Sequence, residues 1–233
     1  MQQNTGGHTL KAFDQDIDRL RALISQMGGL AEHAIGEAMR CLIQRDSEGA
    51  QRIVDNDKKL DALEIETERR AVQLIALRAP MAGDLRDVVA ALKISSVVER
   101  IGDYAKNIAR RVPMLESAGK IEPMSLLPEM ARIATGMVHD VLDAFVERDA
   151  DVAIRVCARD HAVDDFYDSI FRALLTHMME NPHNIGQSAH LLFVAKNIER
   201  VGDHATNIAE MVYYAATGQH MSDKIRAAGA RQA

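Results

Sequence analysis

The sequence has few of the residues that build β-sheets and disulfide-linked folds. Aromatic residues make up 4% of the 233 residues, tryptophan is absent, and there are five prolines. Strands favour aromatic and β-branched side chains, whereas the abundant alanine, leucine, methionine, glutamate and arginine favour helices. This balance predicts long α-helices and no sheet. The two cysteines, Cys41 and Cys157, are too few for a disulfide framework and are expected to be small buried side chains in a reducing compartment.

Charge and hydropathy exclude two further classes of protein. The net charge is -6, with 28 basic and 34 acidic residues, whereas nucleic-acid-binding domains are typically basic. Apolar runs such as LLFVA at 191–195 fall well short of the roughly 18 residues that cross a bilayer. The N-terminal residues have neither the basic nor the apolar part of a signal peptide. These features predict a soluble cytosolic protein that neither binds nucleic acid nor inserts into a membrane.

What the sequence does contain is an internal repeat. The segment ERIGDYAKNIA begins at Glu99, and the segment ERVGDHATNIA begins 100 residues later at Glu199. An earlier block repeats with an offset of 103, which aligns Asp57 with Asp160. The change of offset is expected in the turn near Pro80, because a loop tolerates a change of length better than a helix interior does. The two halves are therefore expected to share one fold.

Each half is predicted to contain three helices. Apolar residues of the third and sixth helices recur at spacings of three and four, as on one face of a helix. The predicted helices run from Leu10 to Gln44, Ser47 to Leu77, Pro80 or Met81 to Arg111, Leu127 to Glu147, Ala150 to Glu180, and Asn184 to Ala216. Asp46 and Asp149 are expected to cap the second helix of each half. The prediction is an all-α chain of two tandem, sequence-related three-helix bundles at 8–115 and 124–218, with a flexible tail at 219–233.

Acidic residues form matching stripes on adjacent predicted helices. A residue turns about 100° on a helix, so Glu99 and Asp103 lie about 40° apart, away from the apolar seam. Asp57 and Asp61 form a like-charged pair on the preceding helix, where charges four residues apart repel. The alternative is a solvated acidic face balanced by lysine and arginine, but the recurrence of the pairs favours a site for a hard cation. The predicted metal-binding residues are Asp57, Asp61, Glu99, Asp103, Asp160, Asp164, Glu199 and Asp203, with Asn107 and Asn207 behind them.

Two other members of the repeated block have expected roles in packing and charge balance. A glycine inside a helix is unfavourable, so Gly102 and Gly202 are expected to allow close approach of a neighbouring helix. Arg100 and Arg200 are expected to form salt bridges with acidic neighbours.

One position of the block differs in chemistry between the halves. His204 stands in the second half where Tyr104 stands in the first. No imidazole is therefore common to both halves at this position, and the two sites are expected to differ in metal affinity. The histidines His177, His183 and His190 occur only in the second half and are not counted among the ligands.

These blocks, together with HTLKAFDQDIDRLRALISQMGGLAEHAI and DLRDVVAALKISSVVERIGDYAKNIA, resemble the PhoU family of bacterial phosphate-uptake regulators. The likeness extends from His8 to about Gly218. Family members consist of two similar three-helix bundles whose E(D)xxxD motifs hold surface metal clusters. The resemblance therefore implies that the carboxylate pairs bind Fe, Mn, Mg or Zn. The second half lacks the Asp-Leu-Arg entry to its last helix that the first half has at Asp84 to Arg86, so a role of these residues shared by both halves is not expected.

The resemblance also implies a function. It implies a cytoplasmic, non-enzymatic negative regulator of phosphate uptake and of the phosphate-starvation (Pho) response. Such a protein is a metal-binding adaptor at the inner face of the membrane, between the ATPase subunit (PstB-like) of the phosphate ABC transporter and a PhoR-like sensor histidine kinase, and a homodimer is compatible with this role. Two alternatives stay open: a carboxylate-site metalloenzyme in a helical bundle, and a purely structural scaffold. The enzyme is disfavoured because the repeated block has no Glu-x-x-His pattern and no nucleophile beside a base.

Overall fold

The computed structural model describes residues 5–116 and 121–221, and all regular secondary structure in these residues is helical. The helices are α1 (Thr5–Gln44), α2 (Ser47–Asn56), α3 (Lys58–Arg78), α4 (Ala82–Ala109), α5 (Leu127–Glu147), α6 (Ala150–Glu180) and α7 (Ile185–Thr217). Short 3₁₀ turns occur at Pro113–Leu115, Glu122–Leu126 and Pro182–Asn184. The prediction of an all-α chain is confirmed. Most of the tail predicted at 219–233 lies outside the described residues.

Aspartates begin the second helix of each half. The Oδ1 atom of Asp46 accepts a hydrogen bond of 2.7 Å from the backbone N–H of Gly49. The Oδ1 atom of Asp149 accepts bonds of 2.9 Å from the backbone N–H groups of Asp151 and Val152. The first N–H groups of a helix have no partner within the helix, so these side chains stabilise the ends that they cap. Both predicted caps are confirmed.

Residues in the left-handed conformation end α3, α5 and α7. Ala79 after α3, Arg148 after α5 and Gly218 after α7 have φ angles of 46°, 57° and 73°. Each donates its backbone N–H to the carbonyl four residues earlier and so closes the last turn. The helix α4 begins at Ala82 rather than at the predicted Pro80 or Met81. Met81 is extended, with φ −104° and ψ 144°, so Pro80 lies in the turn before the helix.

The second helix of the first half is interrupted, although a single helix was predicted there. The backbone N–H of Leu60 donates to the carbonyl of Asp57, three residues earlier, at 2.8 Å. The bond from the N–H of Asp61 to the same carbonyl, four residues away, is longer at 3.4 Å. The chain is therefore wound tightly at Asp57, as in a 3₁₀ turn. The equivalent α6 continues through Asp160 without a break.

The structure consists of two tandem three-helix bundles that share one continuous core. Helices α1, α4, α5 and α7 pack against one another in the middle, and α3 and α6 lie outside them. The apolar stripes of α4 and α7 are buried at Ile94, Val98, Ile101, Ala105 and Ile108, and at Val194, Ile198, Val201, Ala205 and Ile208. These stripes match the predicted periodicity. Val194 holds the first core position of the stripe on α7, whereas the adjacent Phe193 is 54% exposed.

A buried carboxylate connects the two halves. Asp87 on α4 pairs through Oδ2 with Arg21 of α1 at 3.0 Å and with Arg148 of the second half at 3.2 Å. Burial raises the pKa of Asp87, although the two guanidinium groups oppose the rise. The neighbouring Arg86 donates from Nε to the carbonyl of Ala215 near the end of α7, at 3.5 Å. The Asp-Leu-Arg-Asp segment of the first half therefore holds α4 against the second bundle.

The structure bears on two further expectations from the sequence. Within the described residues no helix combines the length and the apolar composition that crossing a bilayer requires. Both cysteines are free; Cys41 is completely buried and Cys157 is half-buried. The packing of these side chains agrees with the predicted structural role.

Candidate metal centre

The two acidic stripes of the first half face each other across α3 and α4. Lys106 on α4 places its ammonium group between them: Nζ contacts Oδ2 of Asp57 and lies 3.0 Å from Oδ1 of Asp103. The side chain of Asp57 is only 8% exposed, so the lysine neutralises a carboxylate with little access to water. The hydrogen bonds to Asp57 and Asp103 raise the pKa of Lys106. The predicted stripes therefore converge, and a lysine lies between them.

Glu99 lies one turn before Asp103 on the same stripe. Burial, together with the negative charges of Asp103, Glu64, Asp61 and Asp57, raises the pKa of Glu99 to about 7. A carboxyl group with this pKa is about half protonated at neutral pH. The shift has two of the causes that generally raise an acid's pKa, which are loss of water and nearby like charge.

The second half repeats the facing carboxylates without a lysine between them. Burial raises the pKa of Asp160 to about 6, and the charges of Asp164, Asp203 and Glu199 contribute to the rise. The Oδ1 atom of Asp160 and the Oε2 atom of Glu199 are buried and have no hydrogen-bond partner in the part of the chain that the structure describes. A buried oxygen without a partner is unfavourable, so two atoms of this site lack a donor or a cation.

Both glycines of the repeated block lie in close contact with the outer helix of their own half. A Cβ atom on Gly102 would lie 2.2 Å from Cδ2 of Leu60. A Cβ atom on Gly202 would lie 2.9 Å from Oδ1 of Asp160 and 3.4 Å from Cγ1 of Val163. Real Cβ atoms do not approach other atoms to 2.2 Å, so the expectation of tight helix packing is confirmed. In the second half the glycine lies directly against a candidate ligand.

The predicted ligands are neighbours, but their side chains do not yet form a coordination shell. Among the described residues no three or more histidine, cysteine, aspartate or glutamate side chains are close enough together to hold a metal ion. In the second half, Asp164 and Asp203 are exposed, whereas Oδ1 of Asp160 and Oε2 of Glu199 are buried and have no hydrogen-bond partner among the described residues. Carboxylate oxygens are the ligands that hard cations prefer. The unpartnered oxygens of the second half are donors of the type that suits a hard cation, and metal binding there stays a prediction.

Tyr104 and its counterpart in the second half, His204, contact each other rather than the carboxylates. The hydroxyl of Tyr104 and Nε2 of His204 are 3.4 Å apart, and the rings meet edge to face with centroids 5.2 Å apart. Nδ1 of His204 lies 2.9 Å from the carbonyl of Arg200, which assigns the ring proton to Nδ1 and leaves Nε2 to accept the tyrosine proton. Burial lowers the pKa of His204, which favours this neutral form. The exchange of tyrosine for histidine therefore lies at the seam between the halves, not at either carboxylate site.

The comparison with known families agrees with the two-bundle repeat. A family model described as the PhoU domain matches the chain twice, at residues 24–112 and 127–212. The chain belongs to the PhoU family.

Similar proteins of the PhoU family are alike over nearly their whole length. A relative from Zymomonas mobilis, named a phosphate-specific transport system accessory protein PhoU homolog, is 54% identical over 220 residues, which are 94% of this chain and 93% of that protein. The crystal structure of PhoU from Pseudomonas aeruginosa has a TM-score of 0.84 and 35% identity and covers 89% of this chain and 100% of its own. The crystal structure of the phosphate transport system regulatory protein PhoU from Streptococcus pneumoniae has a TM-score of 0.84 and 27% identity, covering 90% and 99%.

Two lysines of this PhoU-family chain belong to the candidate centre and were not predicted from the sequence. Lys106 lies three residues after Asp103, and Lys196 lies three residues before Glu199 and donates to its Oε1 atom at 2.5 Å. Side chains three apart on a helix are neighbours, so this spacing is a signal that could have revealed them. Neither lysine recurs in the other half, and a comparison of the halves alone therefore passes over both.

The arginines of the repeated block do not behave as expected. Neither Arg100 nor Arg200 forms an ion pair with a carboxylate among the described residues, so the predicted salt bridges are wrong. The guanidinium of Arg200 lies 6.0 Å from the ring centre of Tyr104, and Arg100 lines a groove between α4 and α7. Asn207 lines the same groove, while Asn107 is half-buried on α4. The role predicted for both asparagines behind the metal ligands stays a prediction.

Proposed function

We propose that this chain is the accessory protein of a phosphate transport system and a negative regulator of phosphate uptake and of the phosphate-starvation response. The observation that carries this proposal is the match of the PhoU domain to both halves, together with the 54% identity to the Zymomonas mobilis relative that bears the accessory-protein name. That name describes a component of a transport system and not an enzyme. The chain acts by binding other proteins, and it performs no catalysis itself.

The chain acts as an adaptor at the cytoplasmic face of the membrane. Its partners are the ATPase subunit (PstB-like) of the phosphate ABC transporter and a PhoR-like sensor histidine kinase. The outer helices support this role, because they expose large apolar side chains at Ile65, Val72 and Leu77 of α3 and at Phe171, Leu175 and Met179 of α6. Exposed apolar surface of this kind is commonly covered by a partner protein. The two bundles thus offer one outer helix each for binding.

Metal binding by the carboxylates is part of the same proposal. The unpartnered buried oxygens of Asp160 and Glu199 support it, as do the raised pKa values of Glu99 and Asp160. Oxygen ligands of this kind suit Fe, Mn or Mg, and Zn is also compatible with carboxylates. In the second half, a bound cation supplies the positive charge that the buried oxygens of Asp160 and Glu199 lack. The carboxylates determine where the cation is held. They lie on two helices, so a cation bound between them joins the outer helix to α4 or α7.

A gene deletion tests the regulatory role. Deleting the gene should derepress alkaline phosphatase in phosphate-rich medium, and a plasmid copy should restore repression. Unchanged phosphatase regulation would count against the proposal.

Pull-down of the full chain should recover both the transporter ATPase subunit and the sensor kinase. Turnover of a phosphate ester by the purified chain with Mn²⁺ or Fe²⁺ would instead favour the metalloenzyme.

A further inference from the structure

The two carboxylate sites differ at one position that lies inside the first of them. Position 106 is a lysine, and the equivalent position of the second half is Thr206. The ammonium group of Lys106 contacts Asp57 at the start of α3 and lies 3.0 Å from Asp103 on α4, so it bridges both walls of the site. Thr206 instead donates its hydroxyl proton to the backbone carbonyl of Asp203 at 2.7 Å. The threonine therefore supplies no positive charge to the second site.

The polar atoms of the two sites are satisfied to different degrees. The buried side-chain atoms without a hydrogen-bond partner include Oδ1 of Asp160 and Oε2 of Glu199 in the second site. Within the described residues, they include no oxygen of the four predicted ligands in the first site. Buried polar groups are nearly always paired in proteins. The second site thus lacks a cation at the place where the first site has its own.

We infer that Lys106 is the permanent counter-ion of the first carboxylate site, and that metal ions bind at the second site in preference to the first. This inference rests on the proposed metal binding of the chain. A metal ion entering the first site would lie beside an ammonium group held by two carboxylates, and like charges at such short separations repel strongly. Moving Lys106 aside would also break both of its ion pairs. The second site presents a smaller obstacle, because its lysine, Lys196, pairs with one candidate ligand, Glu199, and not with both walls of the site.

The lysine of the second site has a different position and a smaller role. Lys196 pairs with Glu199 alone, and its side chain is 40% exposed, compared with 21% for Lys106. Asp160, Asp164 and Asp203 form no ion pair among the described residues. Lys196 therefore neutralises one carboxylate of the second site and does not bridge its two walls as Lys106 bridges those of the first.

Exchanging the residues of the two halves tests the inference. Lys106→Thr gives the first site the residue of the second, and Thr206→Lys does the converse. Chelator-treated full-length proteins are titrated with Mn²⁺, and the free ion is followed by electron paramagnetic resonance. The wild type should show one class of sites, which Asp203→Ala removes. Lys106→Thr should gain a second class, which a further Asp103→Ala removes. Thr206→Lys should lose most Mn²⁺ binding.

Lys93→Thr is the matched control, since Lys93 is an exposed lysine of the same helix and pairs with no described carboxylate. It should bind Mn²⁺ as the wild type does. Equal losses from Asp103→Ala and Asp203→Ala in the wild type would overturn the inference, as would a Lys106→Thr protein with no added sites. If Lys106→Thr does not fold, Thr206→Lys decides alone: lost binding supports the inference and unchanged binding overturns it. Absence of Mn²⁺ binding in every variant would overturn it together with the metal part of the proposed function, whereas the phosphatase assay tests regulation separately.

Discussion

The carboxyl group of Glu99 makes the stability of the metal-free chain depend on pH. Its pKa rises from 4.5 to about 7 on folding, because burial and four neighbouring acids disfavour the charged form. Such a shift corresponds to at most about 3.4 kcal/mol, and screening by water at this half-buried position reduces it to about 1–2 kcal/mol. Because the pKa of Glu99 is higher in the folded chain than in the unfolded chain, the contribution of Glu99 to the free energy of unfolding is fully present below pH 4.5 and is lost as the pH rises through 7. The substitution Glu99→Gln removes the titrating carboxyl group, and with it the loss of stability at high pH.

Thermal unfolding with chelator present, followed by circular dichroism between pH 5 and pH 8, measures this effect. Glu99→Gln should raise the melting temperature at pH 8 by roughly 2–8 °C, since one kcal/mol corresponds to about 2–4 °C in a protein of this size. The gain should shrink toward pH 5. Glu68→Gln, an exposed glutamate of α3, controls for the loss of one negative charge. The reasoning fails if the difference between Glu99→Gln and the wild type is equal at both pH values, or if it decreases as the pH rises.

Two further predictions concern the fold. Asp149→Ala should lower the free energy of unfolding by about 1 kcal/mol, because two backbone N–H groups at the start of α6 lose their acceptor. Urea denaturation measures this loss, and Asp168→Ala at an exposed site within α6 should show a much smaller one. Ile101→Ala should cost about 2–5 kcal/mol, since Ile101 is completely buried and its truncation leaves a cavity. Ile65→Ala on the exposed face of α3 is its control; equal losses at the two positions would contradict the assignment of the core.

Much of the fold could be predicted from the sequence because helix signals are local. The spacing of apolar residues along α4 and α7 matches the buried stripes, and the capping aspartates begin the helices as predicted. The break at Asp57 could not be predicted in this way. The aligned segment of the second half is a continuous helix, so neither composition nor the repeat distinguishes a tight turn there. The start of α4 was predicted one or two residues too early, because proline suits the first turn of a helix and the local sequence does not fix a helix end to the residue.

The candidate site was predictable in its residue types but not in its contacts. The repeated spacing identified the eight carboxylates, because each pair lies on one face of its own helix. The bridge from Lys106 to Asp57 joins residues 49 positions apart on different helices. Its formation depends on how closely α3 approaches α4, which the contact of Leu60 with Gly102 sets. The spacing of residues along one helix does not determine the distance between α3 and α4.

By itself the sequence determined the helical class, the duplication and the carboxylate stripes, because these depend on periodicity and composition along a single helix. Only the tertiary structure decided what each side chain meets across the helices. It brings Tyr104 and His204 together at the seam, leaves Arg100 on an open groove, and places Lys106 between two carboxylates. The physical reason is that interhelical contacts depend on the rotation and separation of whole helices. Packing of the full core sets both, and a local pattern does not encode them.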